Sequence, residues 1–159
     1  MSSLNLSFAT YNSHGHGTGR LDYVKKIAHE NDFLFVQEHW LFNQQVGMLE
    51  QKIPDCHVYL VSGMIDQSLL RGRPYGGCAI IWKKNLDCSC TPITFNSKRV
   101  CAMLLEMKGD KIILVNVYMP CDTSCGDDHN SKEYQNILEE ISRSEERRVG
   151  KECRSRWSP

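Results

Sequence analysis

The sequence predicts a mixed α/β fold, and three features of it carry the prediction. Within the first forty residues an alternating apolar run, a helical stripe and a second apolar run follow one another. Residues 98–119 hold two long alternating arms around a short polar turn, and a further helical stripe begins near residue 134. Strand, helix, strand in so short a span is a parallel unit, whereas arms joined by a tight turn are antiparallel, so the sheet is mixed and packed with helices.

Leu4, Leu6 and Phe8 alternate with polar residues up to Tyr11-Asn12, which predicts a first strand, and the glycine-rich residues 13–19 a loop. Leu21, Val24, Ile27 and Ala28 fall at helical spacing before the stop at Asn31-Asp32. Phe33 to Glu38 then reads as a second strand, ending in Gln37, Glu38 and His39 where a parallel strand opens into a ligand crevice. The right-handed crossover brings Asn12 and Glu38 to one edge of one sheet. Further along, residues 43–53 predict a short helix, 56–61 a strand, and 64–75 a long polar loop carrying Arg71, Arg73 and Tyr75. Strands are expected at 77–82 and 93–95. The clearest hairpin joins 98–107 to 111–119, with Val100, Ala102 and Leu104 alternating in one arm and Ile113, Val115 and Val117 in the other. Tyr134, Ile137, Leu138 and Ile141, with Ser131 as cap, predict a last helix ending near Ser142.

Length fits about one domain, and 41% hydrophobic residues suffice for a core. With no long apolar run and no signal-like start, the expectation is an intracellular protein, cytoplasmic or nuclear, neither secreted nor in a membrane. Eight cysteines in that setting are free thiols. Cys88-x-Cys90, and Cys121 with Cys125, lack the second pair that structural zinc requires, so no structural zinc is expected. Formal charge is zero, but residues 143–159 hold six basic and three acidic residues, leaving 13 basic against 16 acidic before them. A nucleic-acid partner therefore cannot be argued from bulk charge and would have to come from a local groove or a bound cation. Residues 143–159 have almost no apolar periodicity and read as a disordered tail, or as a basic arm. They also resemble the conceptual translation of a sequencing-library adaptor, which makes them a non-native tail behind a domain of residues 1–142.

Taken alone, Glu38 is a carboxylate at a strand end, where solvation or capping is the ordinary role. Asn12 before a glycine loop is an ordinary turn residue, and Tyr118 in an apolar strand an ordinary core tyrosine. Arg71, Arg73 and Tyr75 either track a DNA backbone, since arginines position on phosphates, or are simply solvated.

Five segments in order alter that reading: Asn12 after a first strand, Gln37-Glu38 after a second, Tyr75-Gly76-Gly77-Cys78-Ala79-Ile80, Arg99-Val100, and Val115-Asn116-Val117-Tyr118-Met119-Pro120. Together they resemble the endonuclease/exonuclease/phosphatase superfamily, and within it the apurinic-endonuclease-like domain of non-LTR retrotransposons, from Leu4 to about Ser142. The resemblance implies a four-layer α/β/β/α sandwich of the deoxyribonuclease-I-like type. It implies Glu38 as a ligand of Mg2+ (or Mn2+), Asn12 orienting groups at the site, and Tyr118 contacting phosphate. Implied partners are DNA and, in a full-length element, a reverse transcriptase domain on the C-terminal side. Phosphodiester hydrolysis needs such groups: a cation to neutralise the phosphoryl oxygens, an oriented water, and donors for the developing charge. His14 stands where many members have Asp or Asn, and Cys121 replaces an asparagine. The Gly-Asp-x-Asn segment of the superfamily does not occur in the 159 residues, and the acidic run Asp127-Asp128, before the last helix, lacks the spacing and strand context of its motifs, the terminal Asp-His pair included. The expectation is thus an N-terminal portion of a metal-dependent DNA endonuclease that nicks retrotransposon targets, inactive alone. Its rivals are a phosphatase acting on a soluble phosphorylated ligand and a non-catalytic retrotransposon-derived remnant.

Overall fold

A computed structural model describes residues 5–17, 19–64, 70, 72–120 and 128–155, with backbone alone for 128–129 and 145–155. Two compact units divide the chain, Met1–Tyr118 and Met119–Pro159.

In the first unit, strand β1 (Phe8–Asn12) is followed by helix α1 (Arg20–Glu30) and strand β2 (Phe33–Gln37). β1 and β2 pair in parallel with Asn12 opposite Gln37, as the crossover requires. The two strands are also fastened at their opposite end. Ser7 donates from both its N–H and its hydroxyl to Asp32 Oδ2 (2.9 Å each), and Lys83 Nζ lies 3.5 Å from Oδ1. These Ser7 bonds, with lesser help from Lys83, outweigh partial burial and hold the Asp32 carboxyl below its usual pKa.

A 3-10 turn (Asn43–Gln45) and helix α2 (Val46–Lys52) lead to β3 (Cys56–Val61) and, beyond the long loop, β4 (Cys78–Lys83). Both β2 and β3 pair antiparallel to β4, giving the order β1-β2-β4-β3. A second sheet has the order β5-β6-β7, with β5 at Ser89–Ile93, β6 at Val100–Met107 and β7 at Asp110–Val117. Met107 pairs with Asp110 across the two-residue turn Lys108-Gly109, where both φ angles are positive, as a tight hairpin demands.

Strand alternation sorts the core into two layers. Leu34, Val36, Ala79 and Ile81 face α1 and α2, meeting Val24, Ala28, Leu49 and Ile53. Phe33, Cys78 and Ile80 face the second sheet, meeting Cys101, Met103, Leu105 and Leu114. The unit is thus a mixed α/β sandwich of helices, sheet and sheet.

Two strand expectations shift. The strand foreseen at 93–95 lies earlier, at Ser89–Ile93; it is an outer strand with mostly exposed residues and a proline, which an edge tolerates and apolar periodicity does not reveal. In the hairpin, the register pairs Val100 with Val117, Ala102 with Val115 and Leu104 with Ile113. The face turned to the first sheet is nevertheless the other one. β6 is the middle strand, Val100 to Met103 are all buried, and alternation there does not say which face meets the first sheet.

In the second unit, helix α3 spans Asp128–Ser155. It starts before Ser131 and continues past Ser142. The Glu, Arg and Lys that follow Ile141 are good helix formers even without an apolar stripe, and Arg143 pairs with Glu139 one turn back at 2.9 Å. Cys56, Cys78 and Cys101 are buried free thiols, and Cys88 and Cys90 half-buried ones. No helix among the described residues is long and apolar enough to cross a membrane.

Candidate active site

The ends of β1 and β2 form one polar edge. Here Asn12 Nδ2 donates to Glu38 Oε1 at 2.8 Å, while Asn12 Oδ1 accepts the His14 N–H at 3.1 Å. His14 Nδ1 stands 3.3 Å from the other carboxylate oxygen, Oε2. The backbone binds the two loops together as well: Ser13 N–H donates to Gln37 O (2.9 Å) and Gly15 N–H to Glu38 O (2.6 Å). The Ser13 hydroxyl, buried, reaches the same two carbonyls.

Backbone strain gathers at this edge. Among the described residues four non-glycines have positive φ, and three are His14 (46°), Glu38 (53°) and Trp40 (56°). Each costs of order 1 kcal/mol or more relative to a relaxed backbone, and the surrounding bonds hold it in place. Gly15 (φ 102°) and Gly77 (φ 89°) leave room for what packs on them: a Cβ at Gly15 would run into the Trp40 indole, and one at Gly77 into the His39 ring.

Partial burial alone would raise the Glu38 pKa. Hydrogen bonds from Asn12 and Tyr118, the His14 imidazole and the Trp40 indole together outweigh it, so the carboxyl lies below its ordinary value and is ionised at neutral pH. Tyr118 reaches the site from the end of β7, tied by its N–H to Arg99 O (3.0 Å) and with the Arg99 guanidinium 5.6 Å over its ring. Trp40 Nε1–H is close enough to help hold the carboxylate down, yet it is buried with no partner in hydrogen-bond geometry.

An ionised carboxylate with one oxygen braced by an amide and the other turned to an exposed side chain suits a hard divalent cation. Mg2+ takes one or two carboxylates and keeps several waters. Glu38 is thus a side chain that could hold Mg2+; among the described residues no cluster of three or more His, Cys, Asp or Glu side chains makes a fuller cage.

No protein-family model matches the sequence, and no curated protein sequence does. Solved structures match by shape. An AP endonuclease from Archaeoglobus fulgidus superposes with a TM-score of 0.58 at 20% identity, over 86% of this chain and 49% of its own. The 3′ phosphatase NExo from Neisseria, bound to a product DNA hairpin, gives 0.59 at 19%, over 87% and 51%. The endonuclease domain of TRAS1, a telomere-specific non-LTR retrotransposon, gives 0.51 at 13%, over 84% and 51%. All three belong to the endonuclease/exonuclease/phosphatase superfamily. The chain has the fold of that superfamily. It spans about half the length of the solved structures it matches.

Within this endonuclease/exonuclease/phosphatase fold, Asn12, Glu38 and Tyr118 converge on one carboxylate. Arg73 and Tyr75 are exposed in the loop before β4, and the Trp40 N–H bonds Gly76 O (3.0 Å), which ties that loop to the strand end carrying Glu38. Arg71 lies outside the described residues, as do Cys121, Cys125 and Asp127. His39, a polar residue at the crevice-facing strand end, is instead a structural group. Buried at 3% exposure, it accepts the Leu41 N–H on Nδ1 (2.9 Å) and donates from Nε2 to Val61 O (3.3 Å). Burial, only partly opposed by the Val61 and Cys78 backbone, pushes its pKa down to about 4, so it is neutral.

Asn116 is the residue that sequence reasoning passed over. It is 2% exposed, donates from Nδ2 to Val36 O (2.9 Å) and Ala79 O (2.8 Å), and accepts from Gln37 Nε2 at 2.6 Å. Standing on β7 and bonding β2 and β4, it joins the two sheets through Val36 and Gln37, the residues just before Glu38, and lies two residues before Tyr118. An asparagine between two valines in an apolar strand was the available signal, because a buried amide demands partners.

Proposed function

We propose that this chain is the N-terminal portion of a metal-dependent DNA endonuclease that nicks target DNA for a retrotransposon, and that it has little or no activity alone. The observation that carries the reading is the convergence of Asn12 and Tyr118 on the ionised Glu38 carboxylate at a shared strand-end edge. Fold likeness to an AP endonuclease and to a retrotransposon endonuclease domain supports it.

In this reading Glu38 holds Mg2+ or Mn2+. When bound, such a cation would supply charge neutralisation at the phosphate and Lewis acidity. Asn12 keeps the carboxylate turned and ionised by donating to Oε1. The Tyr118 hydroxyl contacts a phosphoryl oxygen, with the Arg99 guanidinium over its ring adding positive charge nearby. Arg73 and Tyr75, with Arg71 in the same loop, track the DNA backbone, and a reverse transcriptase domain follows in the full element. A general base to orient the attacking water belongs to the Gly-Asp-x-Asn segment that the sequence lacks, which accounts for the expected inactivity.

A phosphatase reading is favoured by the likeness to the Neisseria 3′ phosphatase, and the same Glu38 and Asn12 would serve it. Supercoiled plasmid and an inositol phosphate, each with Mg2+, separate these readings. The expected result is no nicking by the 159-residue chain and Mg2+ binding that Glu38→Gln abolishes. Clear nicking lost in Glu38→Gln would sink the claim of inactivity, and turnover of the inositol phosphate alone would favour the phosphatase. Mg2+ affinity unchanged by Glu38→Ala would leave a non-catalytic remnant.

A further inference from the structure

The side chain 3.3 Å from Oε2 of Glu38 is an imidazole, not a second carboxylate. We propose that His14 joins Glu38 as a ligand of the divalent cation and thereby tilts the site from Mg2+ toward a first-row transition ion such as Mn2+, Co2+ or Zn2+. The inference rests on the reading of Glu38 as the metal ligand and adds the identity of the ion.

Four observations carry it. First, His14 Nδ1 and Glu38 Oε2 are 3.3 Å apart. With metal–ligand bonds of about 2.1 Å to each, one ion spans that gap at an angle of roughly 100°, between octahedral and tetrahedral values, so it fits between the two groups without moving either. Second, Glu38 Oε1 accepts from the Asn12 amide, whereas Oε2 is the oxygen that faces the imidazole. Third, His14 is held on this edge by its N–H on Asn12 Oδ1 and by a left-handed backbone, as Glu38 is by its own, while the imidazole remains 67% exposed. The pair is preset and still open to solution. Fourth, the neighbouring His16 turns its Nδ1 to His39 O at 3.3 Å, whereas His14 turns its Nδ1 to the carboxylate.

The chemistry of the ions then sets the preference. Imidazole nitrogen is a good ligand for Mn2+ through Zn2+ and a poor one for Mg2+, which favours oxygen and water. Any mixed site binds transition ions more tightly than Mg2+, so the informative quantity is how the preference changes when the imidazole is removed.

The test uses the untagged 159-residue chain, with Mn2+ and Mg2+ affinities measured by calorimetry, and Mn2+ bound to it examined by pulsed electron paramagnetic resonance. Wild type should show nitrogen modulation from a coordinated imidazole, lost in His14→Asn and kept in His16→Asn. The ratio of Mn2+ to Mg2+ affinity should fall about tenfold in His14→Asn, within the range that changes to a metal's surroundings produce. Mn2+ that binds in a Glu38-dependent way but shows no nitrogen modulation, or a ratio unchanged in His14→Asn, overturns the proposal and leaves Glu38 as the ligand. If neither ion binds wild type more tightly than Glu38→Gln, the metal-site reading itself fails, and this inference with it. The spectroscopic readout on wild type does not depend on any variant folding.

Discussion

Replacing Asn116 by leucine removes the polar bridge between the sheets while keeping a side chain of similar branching. Three hydrogen bonds are lost, to Val36 O, Ala79 O and from Gln37 Nε2. At a net of about 1 kcal/mol each they give roughly 3 kcal/mol, and any carbonyl left stranded in the dry interior adds to that. For a unit of this size that corresponds to a fall in Tm of roughly 10–15 °C. Urea denaturation followed by circular dichroism and tryptophan fluorescence would measure it. A double-mutant cycle with Gln37→Ala should return a coupling of about 1 kcal/mol, because Gln37 keeps only its Thr10 partner when Asn116 is gone. A variant within about 0.5 kcal/mol of wild type would refute the claim that this amide holds the sheets together. The placement of Glu38 against Tyr118 would then have to come from apolar packing alone.

His39 gives a pH dependence with a definite sign. Its folded pKa of about 4 lies below the ordinary 6.5, so between those values the unfolded chain takes up a proton that the folded chain refuses. Stability from this group is complete above pH 6.5 and lost as pH falls to 4, by about 3 kcal/mol; His39→Gln should flatten that part of a denaturation series against pH. Gly77→Ala and Gly15→Ala each combine a positive φ with a collision against a ring, so each should destabilise by about 2 kcal/mol or more in the same urea assay, and a neutral outcome would mean that the ring moves freely. Cys78 and Cys90 have pKa values raised by burial to about 12, Cys90 also by the Cys88 beside it, and burial raises Cys101 further. At pH 8 Cys78 and Cys101 should react with a thiol reagent only in denaturant, and prompt labelling of either in the native chain would contradict their burial.

Much of the architecture was legible because period and turn chemistry are local. The β1-α1-β2 unit fixed which residues share an edge: a parallel register and a right-handed crossover leave Asn12 beside Gln37 and next to Glu38. The strand Cys56–Val61 and the Lys108-Gly109 turn were equally visible. β5 was not, since an edge strand with a proline carries no apolar pattern. Nor was the inward face of β6, because both faces of a middle strand are buried.

The site divides in the same way. Sequence alone determined its chemistry, a carboxylate and an amide at paired strand ends and a tyrosine after an apolar strand. Only the tertiary structure decided how these groups are held: Tyr118 on the same carboxylate, His14 on its second oxygen, His39 neutral beneath Gly77, and Asn116 tying the sheets together below them. The physical reason is range. Strand period and capping are set by neighbours in sequence, whereas the Asn116 and Gln37 amides, 79 positions apart, meet only once two sheets have packed.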